Sequence, residues 1–173
     1  HEHQTGAIIE MKSTRAPRRT FHIIDIENLC GSPLCSTAAC RLMHNAYRSA
    51  VGLGEHDLYL LGADQGNGAA VFGWPTGSHR VFGKGKDGAD RALLEAAMNY
   101  NLPAQVDHVV IGSGDHFFAD AARMWRTQGL TVTVVGLSGN ISYALYSATP
   151  NVIELSHKHV CQPLTQVEVS LAG

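Results

Sequence analysis

Short apolar runs alternate along this chain with stretches whose apolar residues recur at helical spacing, and that alternation confines it to one class of fold. The runs lie at 21–26, 57–61, 79–82, 107–111, 130–135 and 151–155. The first, Phe21-His22-Ile23-Ile24-Asp25-Ile26, is apolar on both faces of a two-residue repeat, as expected for a central parallel strand covered on both sides. Between the runs, Ala39, Leu42, Met43, Ala46, Tyr47 and Ala50 form one helical stripe, and Ala89, Ala92, Leu93, Ala96, Ala97 and Tyr100 form another. Phe118, Ala121, Ala122 and Trp125 mark a third helix, and residues 140–147 a shorter one. Strands alternating with helices require right-handed crossovers, which cover both faces of a mostly parallel sheet. The expected fold is α/β with strand order 3-2-1-4-5 and a final strand at 151–155. A loop around Gly31 and Pro33 is expected after the first strand, and a Gly-rich loop over 62–77 after the second. Asn101 and Pro103 should stop the helix that begins near residue 88.

At 173 residues the chain is expected to form one domain, spanning 21–156. Residues 1–20 read as a basic or appended N-terminal arm carrying Arg15, Arg18 and Arg19, with Met11 as a candidate start. Residues 157–173 read as a tail in which Val167-Glu168-Val169 could supply an edge strand. The formal charge of −2 excludes a broad basic surface, so any nucleic-acid contact must come from local patches. No apolar run approaches the roughly 20 residues needed to cross a bilayer, and no signal-peptide segment precedes the first strand, so a cytoplasmic protein is expected. Cys30, Cys35, Cys40 and Cys161 lack the close paired spacing of a zinc site and are read as reduced, mostly buried thiols. A Cys30–Cys35 or Cys35–Cys40 disulfide is the alternative.

The acidic residues fall where such a fold would use them. Ligands of open α/β sheets bind beyond the carboxyl ends of the strands, where connections diverge to opposite faces. Asp25 ends the first strand and Asp115 follows the fourth, and strand order 3-2-1-4-5 makes those strands neighbours. A lone ionised carboxylate within Phe-His-Ile-Ile-Asp-Ile would be costly to bury, which favours a metal or catalytic role for Asp25 over a bond to a nearby backbone N–H. Glu27 is read as facing the site edge or solvent. Asn28 either orients a ligand through its amide or simply ends the strand as a turn residue. Asp90 lies in the first turn of its helix, near the positive end of the dipole, and is assigned to the site. Asp87 is the natural cap of that helix and a reserve second acid for the site. Asp115 is assigned to the site against the alternative of capping its own turn, and Asp120 is a candidate that would point back from the next helix. Oxygen-only ligands of this kind suit Mg²⁺ or Mn²⁺, which keep several waters and use few protein carboxylates.

In order and context these segments resemble the NYN group of PIN-like metal-dependent ribonucleases. The resemblance rests on a strand ending Asp25-Ile26-Glu27-Asn28, on Gly88-Ala89-Asp90 opening a helix, and on Ser113-Gly114-Asp115 after a later strand, and it spans residues 21–155. It implies a PIN-like three-layer sandwich and a metal-dependent endoribonuclease in which activated water hydrolyses an RNA phosphodiester to 5′-phosphate and 3′-hydroxyl ends. By motif position it implies Asp25, Asp90 and Asp115 as metal ligands and Asn28 as a site-orienting residue. Glu27, Asp87 and Ser113 are candidates for supporting positions behind those ligands. The family often carries a further Asp two residues after the acid of S-G-D. Phe117 stands there in this chain, and Asp120 could replace the charge from the helix.

Arg80, Lys84, Lys86 and Arg91 flank the Asp90 segment, where they could guide an RNA backbone towards the acids or be ordinary surface charge. Gly83-Lys84-Gly85-Lys86 lacks the spacing of a phosphate-binding P-loop. Phe72 and Trp74 could stack on unpaired bases, or be packed in a loop. The substrate is expected to be single-stranded or loop-containing RNA, acted on by a lone domain, a homodimer paired through an edge strand, or a larger RNA-processing assembly. A catalytically weak RNA-binding module is the alternative, motivated by Phe117. A small-substrate phosphatase is third, and the first strand lacks the D-x-D pair it would favour.

Overall fold

In the computed structural model, which describes residues 19–33, 35–74 and 79–156, six strands form a single parallel sheet in the order β3-β2-β1-β4-β5-β6. These are β1 (Thr20–Asp25), β2 (Leu58–Asp64), β3 (His79–Gly83), β4 (His108–Gly112), β5 (Thr131–Leu137) and β6 (Asn151–Leu155). The helices are α1 (Ile26–Cys30), α2 (Thr37–Val51), α3 (Gly88–Met98), α4 (Leu102–Gln105), α5 (Ala119–Thr127) and α6 (Tyr143–Ala148). The order expected from the sequence holds, with β6 added beyond β5. The expected arm at 1–20 falls almost wholly outside the described residues, as do the tail strand at 167–169 and Cys161.

Each face of the sheet carries its own core, as the doubly apolar strands require. On one face Phe21, Ile23, Val109 and Ile111 pack against Leu93 and Ala97 of α3 and Ala122 and Trp125 of α5. On the other, Ile24, Leu61, Val110 and Val135 pack against Cys40, Met43 and Tyr47 of α2. Adjacent residues such as Ile23 and Ile24 enter opposite cores because side chains alternate along a strand.

Polar side chains also enter the second core, His22 deepest among them. His22 is fully buried; its Nε2 lies 2.8 Å from Asp57 Oδ2 and its Nδ1 2.6 Å from the Tyr47 hydroxyl. Burial lowers the His22 pKa, with Asp57 opposing that shift. The neutral ring therefore donates to Asp57 and accepts from Tyr47, which burial holds protonated. Cys30, Cys35 and Cys40 are buried and no disulfide joins them, which removes the alternative pairings among them.

Three local expectations are corrected. The expected loop at Gly31 and Pro33 is there, but a five-residue helix precedes it: α1 begins at once after β1, because Asp25 caps it and Gly31, at φ 70°, closes it. The Gly-rich stretch after β2 contains two 3-10 turns, Gln65–Asn67 and Ala70–Gly73. Pro103 does not merely stop a helix; it sits in the first turn of α4, where its missing N–H has no helical partner to lose. No helix among the described residues is long and apolar enough to cross a membrane.

Candidate metal centre

Asp25 is the point where β1 turns into α1. Its Oδ1 accepts the backbone N–H of Asn28 at 3.3 Å, and its Oδ2 accepts from Ser113 Oγ at 3.0 Å. Ser113 Oγ itself accepts the Asp115 N–H at 3.2 Å. One turn along α1, the amide oxygen of Asn28 accepts the Gly114 N–H at 2.8 Å. Asp25 and Asn28 thus fasten the Ser113-Gly114-Asp115 loop to the end of β1. Asn28 is neither the end of a strand nor a free amide: its oxygen is committed to this link. Gly114 has to be glycine, since a Cβ there would enter the Asn140 carbonyl.

Asp87 and Asp90 arrive from the opposite side. Gly83 at the end of β3 packs so closely on the Gly88 backbone that no side chain fits between them. The chain turns there through Asp87, whose φ of 56° is the single left-handed value for a non-glycine among the described residues. In that conformation the Asp87 side chain does not cap α3, contrary to expectation. It lies instead with Asp90 and Asp115, and carboxylate oxygens of the three stand within 4.8 Å of one another.

Asp25 closes the group from below. It is 4% exposed and its carboxyl hydrogen-bonds to that of Asp90. Burial pushes the Asp25 pKa well up, and the negative charge of Asp90 adds to the shift. Asp90 is also raised by burial, with Asp115, Asp87 and Glu27 contributing, while its bond to Asp25 works the other way. Without a cation, burial therefore favours the protonated form of Asp25, which donates to Asp90. Two carboxyls sharing a proton beside two further acids form an all-oxygen site short of positive charge, which fits a hard divalent cation.

The surrounding cleft, of ≈ 570 Å³, is lined by these four acids with Glu27, Asn28, Asp64 and Asn140 among others, and among the described residues by no Lys, Arg or His. Glu27 faces this cleft while bracing its wall: Oε1 accepts the Asp64 N–H at 2.5 Å and Asn67 Nδ2 at 3.0 Å. Its Oε2 is buried with no hydrogen-bond partner among the described residues, a second sign of missing positive charge. The sequence places Asp64 after the second strand without fixing its direction, because the following loop is Gly-rich, and Asn140 escaped sequence reading because its turn beside Gly139 shows no periodicity.

Other candidates lie elsewhere. Asp120 does not point back to the cleft: its carboxylate is fully exposed on α5 and pairs with Arg123 at 3.0 Å. Phe117 borders a separate hollow with Asp120, so no acid from this segment joins the four. Asp115 does cap its own turn, accepting the Phe117 N–H at 2.8 Å, and still faces the cleft. His116 Nδ1 stands 3.2 Å from the Asp115 carboxylate at the outer rim. Lys84, Lys86 and Arg91 are exposed, and of the loop between the two lysines only Gly85 lines the cleft. Arg80 lies over the Phe72 ring, 5.2 Å from its centroid. Trp74 cannot stack on a base; it is buried against His44, Tyr47 and Tyr59.

Comparison with known proteins adds two findings. The family model of the NYN domain matches residues 67–156, just over half of the chain. The match begins after Asp25 and Asn28, so the link between the first motif and the matched region rests on the geometry above. A solved structure of a protein of unknown function from Vibrio parahaemolyticus RIMD 2210633 superposes with a TM-score of 0.55 over 83% of this chain and 96% of that one, at 16% identity. At that identity the likeness concerns the fold alone. Among curated proteins, none matches this sequence.

Proposed function

The chain belongs to the NYN domain family of PIN-like nucleases, and we propose that it is a divalent-metal-dependent endoribonuclease acting at the cleft formed by Asp25, Asp87, Asp90 and Asp115. The observation that carries this reading is the approach of the Asp87, Asp90 and Asp115 oxygens to within 4.8 Å of one another, above a buried Asp25 whose carboxyl hydrogen-bonds to that of Asp90. Asp90 and Asp115 are the proposed direct ligands, with Asp25 completing the set once its proton leaves. Asp87 is promoted from a reserve position to the ligand group. A bound Mg²⁺ or Mn²⁺ would supply Lewis acidity towards a phosphodiester and towards the attacking water.

The remaining roles belong to side chains that hold the acids in place. Ser113 donates to Asp25 and accepts from the Asp115 backbone, so one hydroxyl sets the positions of two ligands. Asn28 fixes the Gly114 backbone and keeps the loop at ligand distance. Glu27 holds the Asn67 side chain and the end of β2, where Asp64 lines the cleft. A cleft lined by acids, with no cationic side chain among the described residues, repels a bare phosphate backbone, so substrate entry needs both the metal and the flanking lysines.

The test is cleavage of an end-labelled RNA with Mg²⁺, Mn²⁺ or EDTA. Cleavage is expected with either metal, none with EDTA, and none for a folded Asp115→Asn variant. Phe117 in place of a further acid, with Asp120 turned to solvent, favours a second reading as an RNA-binding module with weak or no chemistry. RNA binding without metal affinity or cleavage would select that reading. Hydrolysis of a small phosphomonoester but not of RNA would reject both.

A further inference from the structure

Outside the acidic cleft, the edge strand β3 carries a surface that the proposed chemistry does not use. Phe72 is 68% exposed and Phe82 is 43% exposed, although burying either ring would be favourable. Arg80 and Phe82 lie two residues apart and so share a face of β3, about 6.6 Å apart along the strand. The guanidinium of Arg80 lies 5.2 Å from the centroid of the Phe72 ring, and its Nε is buried with no partner among the described residues. The order along this face is an aromatic ring beneath a cation, then a second aromatic ring.

The strip continues to the cleft. Phe82 Cε1 stands 3.7 Å from where a Cβ on Gly68 would be, which places the ring beside the turn that follows Asp64. Asp64 is in register with Gly83, immediately after Phe82. Lys84 and Lys86 are exposed on either side of Gly85, and Gly85 and Asp64 both line the cleft. Aromatic faces bind unpaired bases of any sequence, and interspersed cations bind the phosphates between them. A duplex keeps its base faces stacked on one another and offers none to Phe72 or Phe82.

We infer that Phe72, Arg80 and Phe82 form a stacking platform for single-stranded RNA, from which the strand passes over Lys84 and Lys86 into the acidic cleft. This deepens the nuclease reading and rests on it for the destination of the strand, but the platform itself requires no chemistry.

Binding of a fluorescent oligouridylate of about 12 nucleotides, and of a duplex of similar length, can be followed by anisotropy in EDTA, where no cleavage intervenes. Phe72→Ala and Phe82→Ala should each weaken single-strand binding by about 5- to 100-fold. Both variants should keep the wild-type melting temperature, and their salt dependence should be unchanged. Lys84→Ala and Lys86→Ala should each reduce the slope of log K against log salt by about 0.7. Phe72→Leu should not restore affinity. Restoration by Leu would mark a merely apolar surface suited to a protein partner and would overturn the inference. Wild-type affinity in both alanine variants would overturn it too, as would equal losses on the duplex or no RNA binding at all. Phe-dependent binding without metal-dependent cleavage would sustain the platform while rejecting the nuclease reading.

Discussion

Asp25 has two fates, set by what stands beside it. Without a cation, burial and the charge of Asp90 raise its pKa, so the folded protein holds a proton that the unfolded chain releases near the ordinary carboxylate range. Its contribution therefore favours the folded state at low pH and is lost as pH rises through the folded pKa. A divalent cation reverses the sign by stabilising the ionised form. Asp25→Asn should accordingly raise the melting temperature in EDTA at pH 7 while abolishing the increase that Mn²⁺ gives the wild type. A lower melting temperature in EDTA would show that the Asn cannot replace the bonds Asp25 makes to Ser113 and Asn28. Ser113→Ala removes the hydroxyl that bridges Asp25 to the Asp115 backbone, and metal affinity should fall about 10- to 100-fold by titration calorimetry. His22 behaves oppositely to Asp25. Burial lowers its pKa, so the unfolded chain binds a proton more readily, and its contribution weakens as pH falls below about 6.5. Urea melts in EDTA between pH 7.5 and 5 should show a downward component in the wild type that His22→Gln lacks.

At the level of elements, three strand-to-helix turns build the cleft, and each needs a different local device. The β1–α1 turn uses an aspartate cap, the turn after β4 uses Gly114 against Asn140, and the β3–α3 turn uses a glycine pair with Asp87 in a left-handed conformation. The last is the most sensitive to change. Gly83→Ala would force its methyl into the Gly88 backbone, and backbone cannot move aside as a side chain can. Loss of stability at or above the ~1–3 kcal/mol of ordinary overpacking is expected, together with loss of metal binding as Asp87 and Asp90 move with the start of α3. Retention of both in chemical denaturation and metal titration would separate this turn from the site. The elements also show where sequence reading ended. Strands with apolar residues on both faces and helices with a single stripe were legible because burial imposes those patterns. The five-residue α1 was not, because it is too short for a periodicity and follows an apolar strand without a break. Asp87 reads as a helix cap in one dimension. Only its backbone angle, set by the Gly83–Gly88 contact, turns it towards the other acids.

Across the molecule, the arrangement follows from β1 and β4 lying side by side at the centre of a parallel sheet while β2 and β3 build outward on one flank. Register places Ile24 opposite Gly112, so Asp25 and Ser113 emerge as neighbours at the carboxyl edge. The fold class, the strand order and the nomination of Asp25, Asp90 and Asp115 were all contained in the chain, since hydrophobic pattern and topological rules act on residues close in sequence. The convergence of Asp87 with Asp90 and Asp115, the outward turn of Asp120, the burial of Trp74 and the exposure of Phe72 were decided by tertiary structure alone. Each depends on the direction of one side chain, and packing between segments distant in the sequence sets that direction.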